Sequence, residues 1–314
     1  MKRKLKDYLL VSLKGIGMGA ADVVPGVSGG TIAFITGIYQ ELIDSIQSIN
    51  LKSLKLLFAG HIRDFWETTN ANFLLSLIVG IGISVLSLAK GLKYLLENHP
   101  ILVWSFFFGL IVASAIYVAR EIKGWNIGTV VSLFVGTVVA YFITVITPAE
   151  ANTSYPFIFL SGAIAICAMI LPGISGSFIL VLLGMYKFIL DSISAFNLPV
   201  VGIFLVGAAV GIVSFSNILS WLLKKYYKPT IAMLAGFMIG SLNKVWPWKQ
   251  VVETFVDRHG QVKPLIEQNV SPGSYFELTG HNAQLGMAIG LAVAGFALIF
   301  VIEGASKTLQ KSRA

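Results

Sequence analysis

Twice in this 314-residue chain a long apolar stretch is cut near its middle by the same punctuation: Pro25-Gly26-Val27-Ser28-Gly29-Gly30 and Pro172-Gly173-Ile174-Ser175-Gly176-Ser177. Proline removes a backbone donor and glycine frees the chain to turn, so neither stretch, 8–46 nor 156–193, is expected to run as one straight helix. The two stretches are copies. Shifted by 147 positions, Pro25, Gly26, Ser28, Gly29, Gly37, Tyr39, Asp44, Ser45 and Ile46 all fall on identical residues within the 22-residue window 25–46. Weaker matches continue at a shift of 127, among them Gly80 on Gly207, Gly109 on Gly236 and Ser114 on Ser241. The chain is therefore read as a duplication, with one repeat over 1–150 and the other over 151–314.

The solvent around these repeats follows from charge. Only 12% of residues are charged and 56% are hydrophobic, whereas a soluble domain carries about 25% charged residues. Such a chain cannot cover a water-facing globule, and the bilayer takes that place. Six uninterrupted apolar stretches approach the length of a span: 73–96, 101–119, 127–147, 199–223, 230–246 and 284–304. The single cysteine, Cys167, lies in an apolar run and reads as packing. Four scattered histidines and no metal-ligand spacing give no zinc or redox site. No cofactor, no metal and no nucleic-acid partner is expected, and nothing in the sequence sets an oligomeric state.

Charge also orients the repeats. If each broken stretch enters the membrane and returns to the same side, each repeat has three full crossings, and the second repeat is inverted relative to the first. With the N-terminus in the cytoplasm, 16 of the 23 basic residues then lie inside, and the turns 97–100 and 147–156 hold no Lys or Arg. Full crossings by the broken stretches would put Lys52, Lys55, Arg63, Arg120 and Lys123 outside and lose that bias. The expected fold is an all-α polytopic membrane protein of two inverted-topology repeats. Each has one re-entrant helical hairpin and three transmembrane helices, with both termini cytoplasmic.

Inverted repeats with interrupted helices are the build of secondary transporters, whose substrates bind where half-helices end. Irregular backbone inside a bilayer survives only when buried in protein or lining a polar cavity. The second half-helix should begin near Ser28 in one repeat and near Ser175 in the other. Its first turn then offers the N–H groups of Gly29, Gly30 and Thr31, or of Gly176 and Ser177, beside the hydroxyls of Ser28, Thr31, Ser175 and Ser177. Such a terminus suits an anion. Pro25, Gly26, Pro172 and Gly173 form the loops. The plainer alternative is a pair of tight turns capped by serine.

Ionisable groups at membrane depth are functional candidates. Asp22 lies three residues before Pro25 and faces apolar Met169 in the repeat alignment, so the hairpin does not require it. Its protonation is a candidate for coupling to transport. Lys14 and Lys187 could supply positive charge, with a snorkelling place at the interface as the alternative. Glu41, together with Asp44 and Asp191, sits where the hairpins return to water. The aromatic group Trp246, Trp248 and Phe255 suits an interfacial belt.

The run Met18-Gly19-Ala20-Ala21-Asp22-Val23-Val24-Pro25-Gly26-Val27-Ser28-Gly29-Gly30-Thr31, followed by Gly37-Ile38-Tyr39, resembles the leading signature of a bacterial membrane family associated with polyprenyl-phosphate translocases of the PopT type. Ala168-Met169-Ile170-Leu171-Pro172-Gly173-Ile174-Ser175-Gly176-Ser177 resembles its second signature. The resemblance spans nearly the whole chain. It implies an undecaprenyl-phosphate flippase of the cytoplasmic membrane, recycling the carrier lipid of cell-wall synthesis. The residues themselves support an anionic-headgroup carrier, and the identity of the lipid comes from the resemblance. A proton-coupled carrier for a soluble anion stays open beside it. A lipid-phosphate-processing enzyme is less well supported, because the intramembrane acids are isolated and no histidine accompanies the Ser-Gly motifs.

Overall fold

The computed structural model describes residues 3–23, 27–256 and 262–311. Pro25 and Gly26, expected to shape the first loop, lie outside them. The first broken stretch is helix α1 (Leu5–Val23), then α2 (Gly29–Ile35) and α3 (Tyr39–Gln47). Two short helices, α4 (Leu51–Phe58) and α5 (Ile62–Thr68), follow, and then three long helices, α6 (Ala71–Asn98), α7 (Pro100–Arg120) and α8 (Ile127–Val145). The second half repeats the order with α9 (Tyr155–Ile170), α10 (Gly176–Leu182), α11 (Tyr186–Ser194), α12 (Leu198–Lys225) and α13 (Tyr227–Ser241). Strands β1 (Lys249–Val256) and β2 (Val262–Asn269), helix α14 (Pro272–Thr279) and helix α15 (Leu285–Lys311) complete the chain.

The duplicated glycine of each broken stretch has a conformational reason. Gly37 and Gly184 both close a short helix with positive φ, 71° and 68°. In both turns the following residue bonds back across the end, Ile38 N–H to the Ala33 carbonyl and Met185 N–H to the Leu180 carbonyl, each at 2.9 Å. That is the six-to-one bond of a Schellman cap, which favours glycine at the left-handed position. The chain bends by 108° between α10 and α11. A seven-residue helix reaches about 10 Å, so neither α2 nor α10 crosses a bilayer alone.

Glycine contacts give the direction of the helix pairs. Gly15 of α1 packs on Leu77 and Gly80 of α6, and Gly19, one turn on, packs on Ile81 and Ser84. The two helices therefore run parallel, and the chain between them returns to the side where α1 began. In the second half, Gly207 and Gly211 of α12 pack on Phe159 and Ala163 of α9, again in parallel. Helix α13 runs parallel to α8, with Gly236 on Leu133 and Gly240 on Thr137. Helix α15 runs parallel to α7: Ala288 lies in a cluster with Ile101, and Phe300 lies under the Arg120 guanidinium. Where side chains are this small, backbones approach closely, which supplies the packing that lipid-facing helices need.

Among the described residues, five helices are long and apolar enough to cross a membrane: α6, α7, α8, α12 and α15. The sixth expected span is shorter and displaced. Instead of covering 230–246, α13 ends at Ser241, has 15 residues and is largely buried. The loop after it also departs from an all-helical expectation. Residues 249–269 form an antiparallel β-hairpin, with a register irregularity around Glu253.

Candidate functional site

The two breaks meet. Ser28 caps α2 by accepting from the Gly30 N–H at 3.0 Å, and its hydroxyl lies 3.0 Å from the Leu171 carbonyl and 3.2 Å from that of Met169. In the other direction the Gly173 N–H donates to Thr31 Oγ1 at 3.1 Å. Tyr39 adds a bond from its hydroxyl to the Ile170 carbonyl at 3.2 Å. Side chains of the first half thus satisfy backbone groups of the second loop. Buried irregular backbone would otherwise cost several kcal/mol per unpaired group.

The half-helices begin where the sequence places them, with Ser28 and Ser175 as N-caps. The α2 terminus, however, is not open as expected. The Gly29 N–H donates to Asp22 Oδ1 at 2.7 Å, the Gly30 N–H to Ser28 Oγ, and the Thr31 N–H to the Ser28 carbonyl at 3.0 Å. Ser28, Gly29, Gly30 and Thr31 are all buried. In α10, Ser175 makes no side-chain cap bond; its hydroxyl pairs instead with Ser177 Oγ at 2.8 Å. Pro172, Gly173 and Gly176 are buried, and Ser177 is half-buried.

Beside the first hairpin lies a groove of about 1250 Å³, bounded by α1, α2, α6, α7 and α15. Arg3, Lys4, Lys6 and Asp7 line it at the start of α1, and Lys14 lines it further along. Beyond Lys14 the walls turn apolar, with Gly17, Ala20, Ala21, Leu92, Phe107 and Leu298 among them. Lys14 donates to the Thr36 carbonyl, at the end of α2, at 2.6 Å. Arg3 makes a two-pronged contact with Glu41, at 2.5 and 2.6 Å, and its guanidinium lies 5.3 Å from the centre of the Phe73 ring. Glu41 also accepts from Asn70 at 2.9 Å. Helices α6 and α15 flank the groove but, among the described residues, do not pack closely against each other.

Four of the residues singled out by sequence thus fall in three places. Asp22 is at the loop junction, Lys14 and Glu41 are in or beside the groove, and Lys187 is exposed on α11 away from both. The groove itself, and Arg3 within it, were not expected as a site. The signal was the basic run Arg3-Lys4-Leu5-Lys6, which reads equally as a membrane flank.

Comparison with known proteins bears on all of this. The family described as undecaprenyl phosphate translocase-like (VCA0040-like) matches residues 18–263. A polyprenyl-phosphate transporter of Vibrio cholerae serotype O1 is 46% identical over 303 residues, covering 96% of this chain and 98% of that protein. A polyprenyl-phosphate transporter of Staphylococcus aureus is 32% identical over 253 residues, covering 75% of this chain and 85% of that protein. No solved structure matches the chain. With its paired Pro-Gly-(Val/Ile)-Ser-Gly signatures, this polytopic chain belongs to the undecaprenyl phosphate translocase-like family of membrane transporters.

Proposed function

We propose that this protein carries a polyprenyl phosphate, undecaprenyl phosphate in its family's terms, between the leaflets of the bacterial cytoplasmic membrane for reuse in cell-wall synthesis. The observation that carries the proposal is the groove. It joins a cationic start, Arg3, Lys4, Lys6 and Lys14, to apolar walls flanked by α6 and α15. A phosphate head needs the first feature and a polyprenyl chain the second. A soluble anion has no use for a groove with so much apolar wall, and the flanking helices leave a lipid tail a lateral way in.

The two halves, 1–150 and 151–314, are taken as inverted copies with cytoplasmic termini. The helix directions support this. Helix α13 runs with α8, α8 has the sense of α6, and the single-residue turn at Tyr226 sends α12 the opposite way to α13. Helix α12 then opposes α6, its counterpart in the repeat. On this basis the hairpin tips meet inside the bilayer, and Ser28, Gly29, Gly30, Thr31, Ser175, Gly176 and Ser177 form the junction along which the head passes. Free N–H groups at that junction become available to phosphate only when the bonds from Gly29 to Asp22 and from Gly173 to Thr31 open. Protons are a candidate co-substrate through Asp22.

The test is transport of undecaprenyl phosphate between leaflets in proteoliposomes. Lys14→Gln removes a cation from the groove without touching the tips and is expected to slow transport at least about tenfold, the loss that follows from one charge-assisted phosphate contact. Wild-type protein that moves no lipid, or that moves inorganic phosphate alone, would overturn the proposal.

A further inference from the structure

At the far end of the bundle two lysines are held in a way that a solvated loop does not require. Arg3 lies by Phe73, near the start of α6; Lys249 lies by Trp104, in the first turn and a half of α7, past the end of α6. The Lys249 side chain is only 7% exposed. Its ammonium donates to the Lys244 carbonyl at 2.7 Å, sits 4.3 Å from the Trp104 ring centre, and lies 3.5 Å from Glu267 Oε2. The Lys244 ammonium is 3.6 Å from the same oxygen and 4.7 Å from the Phe178 ring centre.

Two ammonium groups therefore converge on one carboxylate oxygen, which among the described residues leaves one positive charge in excess in a largely buried setting. A buried charge without full compensation is costly, and a strut alone is built as well by one lysine or by apolar packing. The position is also telling. Phe178 is the third residue of α10, and Gly173 of the second loop packs on Ser241, three residues before Lys244. The early end of α13 brings this cluster down beside the second break. Glu267, by contrast, belongs to β2 of the hairpin. That segment is tied to the bundle by edge bonds such as Trp246 Nε1–H to the Val270 carbonyl at 2.9 Å and Asn269 Nδ2 to Asn243.

We infer that Lys244 and Lys249 form a second phosphate-binding site, at the end of the bundle opposite Arg3, and that Glu267 occupies it as an internal anion which leaves when a phosphate monoester enters. The inference rests on the reading of the chain as a phosphate-lipid carrier and adds to it the receiving site on the other membrane face. A dianionic phosphate balances two ammonium groups where a single carboxylate does not. The aromatic faces of Trp104 and Phe178 hold the cations and give an apolar flank for the first isoprene units. Arg3 and Glu41 show the same arrangement at the other end, a cation kept by a carboxylate of its own chain.

The experiment titrates purified full-length protein in detergent micelles with farnesyl phosphate, followed by the fluorescence of the tryptophans around the site. Glu267→Gln is expected to tighten binding on the order of tenfold, as removal of a competing charge at this distance implies. Adding Lys244→Gln to that variant should abolish the gain. Misfolding cannot mimic a gain in affinity. An unchanged or weaker affinity in Glu267→Gln, or an equal gain with farnesol, overturns the inference. Inorganic phosphate separates the sources: a gain confined to farnesyl phosphate supports a lipid head, and equal gains support a phosphate site open to the free anion. Failure of the transport proposal shows elsewhere, as wild-type proteoliposomes that move no lipid.

Discussion

The Asp22 carboxylate accepts the Gly29 N–H at 2.7 Å, so the first turn of α2 is capped by a side chain from the helix on the other side of the break. This relationship changes what Asp22 can do. Instead of standing beside an open anion site, it occupies one, and release of the Gly29 N–H requires it to move or to lose its charge. Asp22→Ala is expected to lower stability by about 1 kcal/mol, the usual cost of a lost helix cap. Asp22→Asn keeps an acceptor oxygen and should cost less. Thermal unfolding in detergent checks both. In transport assays Asp22→Asn is expected to flatten the pH dependence of lipid movement; an unaltered profile would remove Asp22 from any proton coupling.

Thr31 and Gly173 join the two halves through one bond at 3.1 Å. Thr31→Val keeps the shape but leaves the buried Gly173 N–H without its acceptor, at a cost of about 1–3 kcal/mol. Thr31→Ser retains the bond and should behave close to wild type. A drop in melting temperature confined to the valine variant is the expected result. Equal behaviour of the two would mean that the junction does not depend on this contact.

The halves of this site differ in how far the sequence discloses them. The breaks, their N-caps Ser28 and Ser175 and the turns at Gly37 and Gly184 are local features, and proline, glycine and serine mark them directly. The bond from Gly173 to Thr31 joins residues 142 positions apart, and no local pattern encodes it. The groove is likewise made by five separate helices. Lys244 falls at the end of the expected span 230–246, and Lys249 and Glu267 in the segment after it; nothing in the sequence joins them, because the β-hairpin that brings them together was not foreseen. Its alternation is weak, and a proline at 264 argues in sequence against the strand that runs through it.

Bulky residues at Gly29 or Gly176 are poor probes of transport, since a Cβ at Gly29 would lie 2.6 Å from Asp22 Oδ2 and one at Gly176 2.5 Å from the Ala165 carbonyl oxygen. Those variants test packing of the hairpins. Ala20 is the better site, because it lines the groove. Ala20→Trp is expected to fill the apolar wall and abolish lipid movement while membrane insertion and melting temperature stay near wild type. Ala20→Ser, which adds little volume, should transport normally. Full transport by the tryptophan variant would separate the groove from the lipid path.

Lys249 gives the protein a pH dependence whose sign can be worked out. Burial, aided by the neighbouring Lys244 ammonium and opposed by Glu267, pushes the Lys249 ammonium down to about 8. In the unfolded chain a lysine holds its proton to about pH 10.4. Between those values the unfolded state binds more protons, so this site's contribution to stability rises with pH across that window. Below about pH 8 both states are charged and the full burial penalty applies, on the order of 3 kcal/mol. Lys249→Met removes the titrating group and leaves Glu267 with Lys244. The variant is therefore expected to melt above wild type at pH 7, and the difference should shrink as pH rises toward 10. Thermal unfolding of both proteins at matched pH values reads this directly, because the other titrating groups are common to the pair. A gap that stays constant with pH would mean that Lys249 keeps its proton in the folded state well above pH 8, and that Glu267 holds it more tightly than its burial opposes.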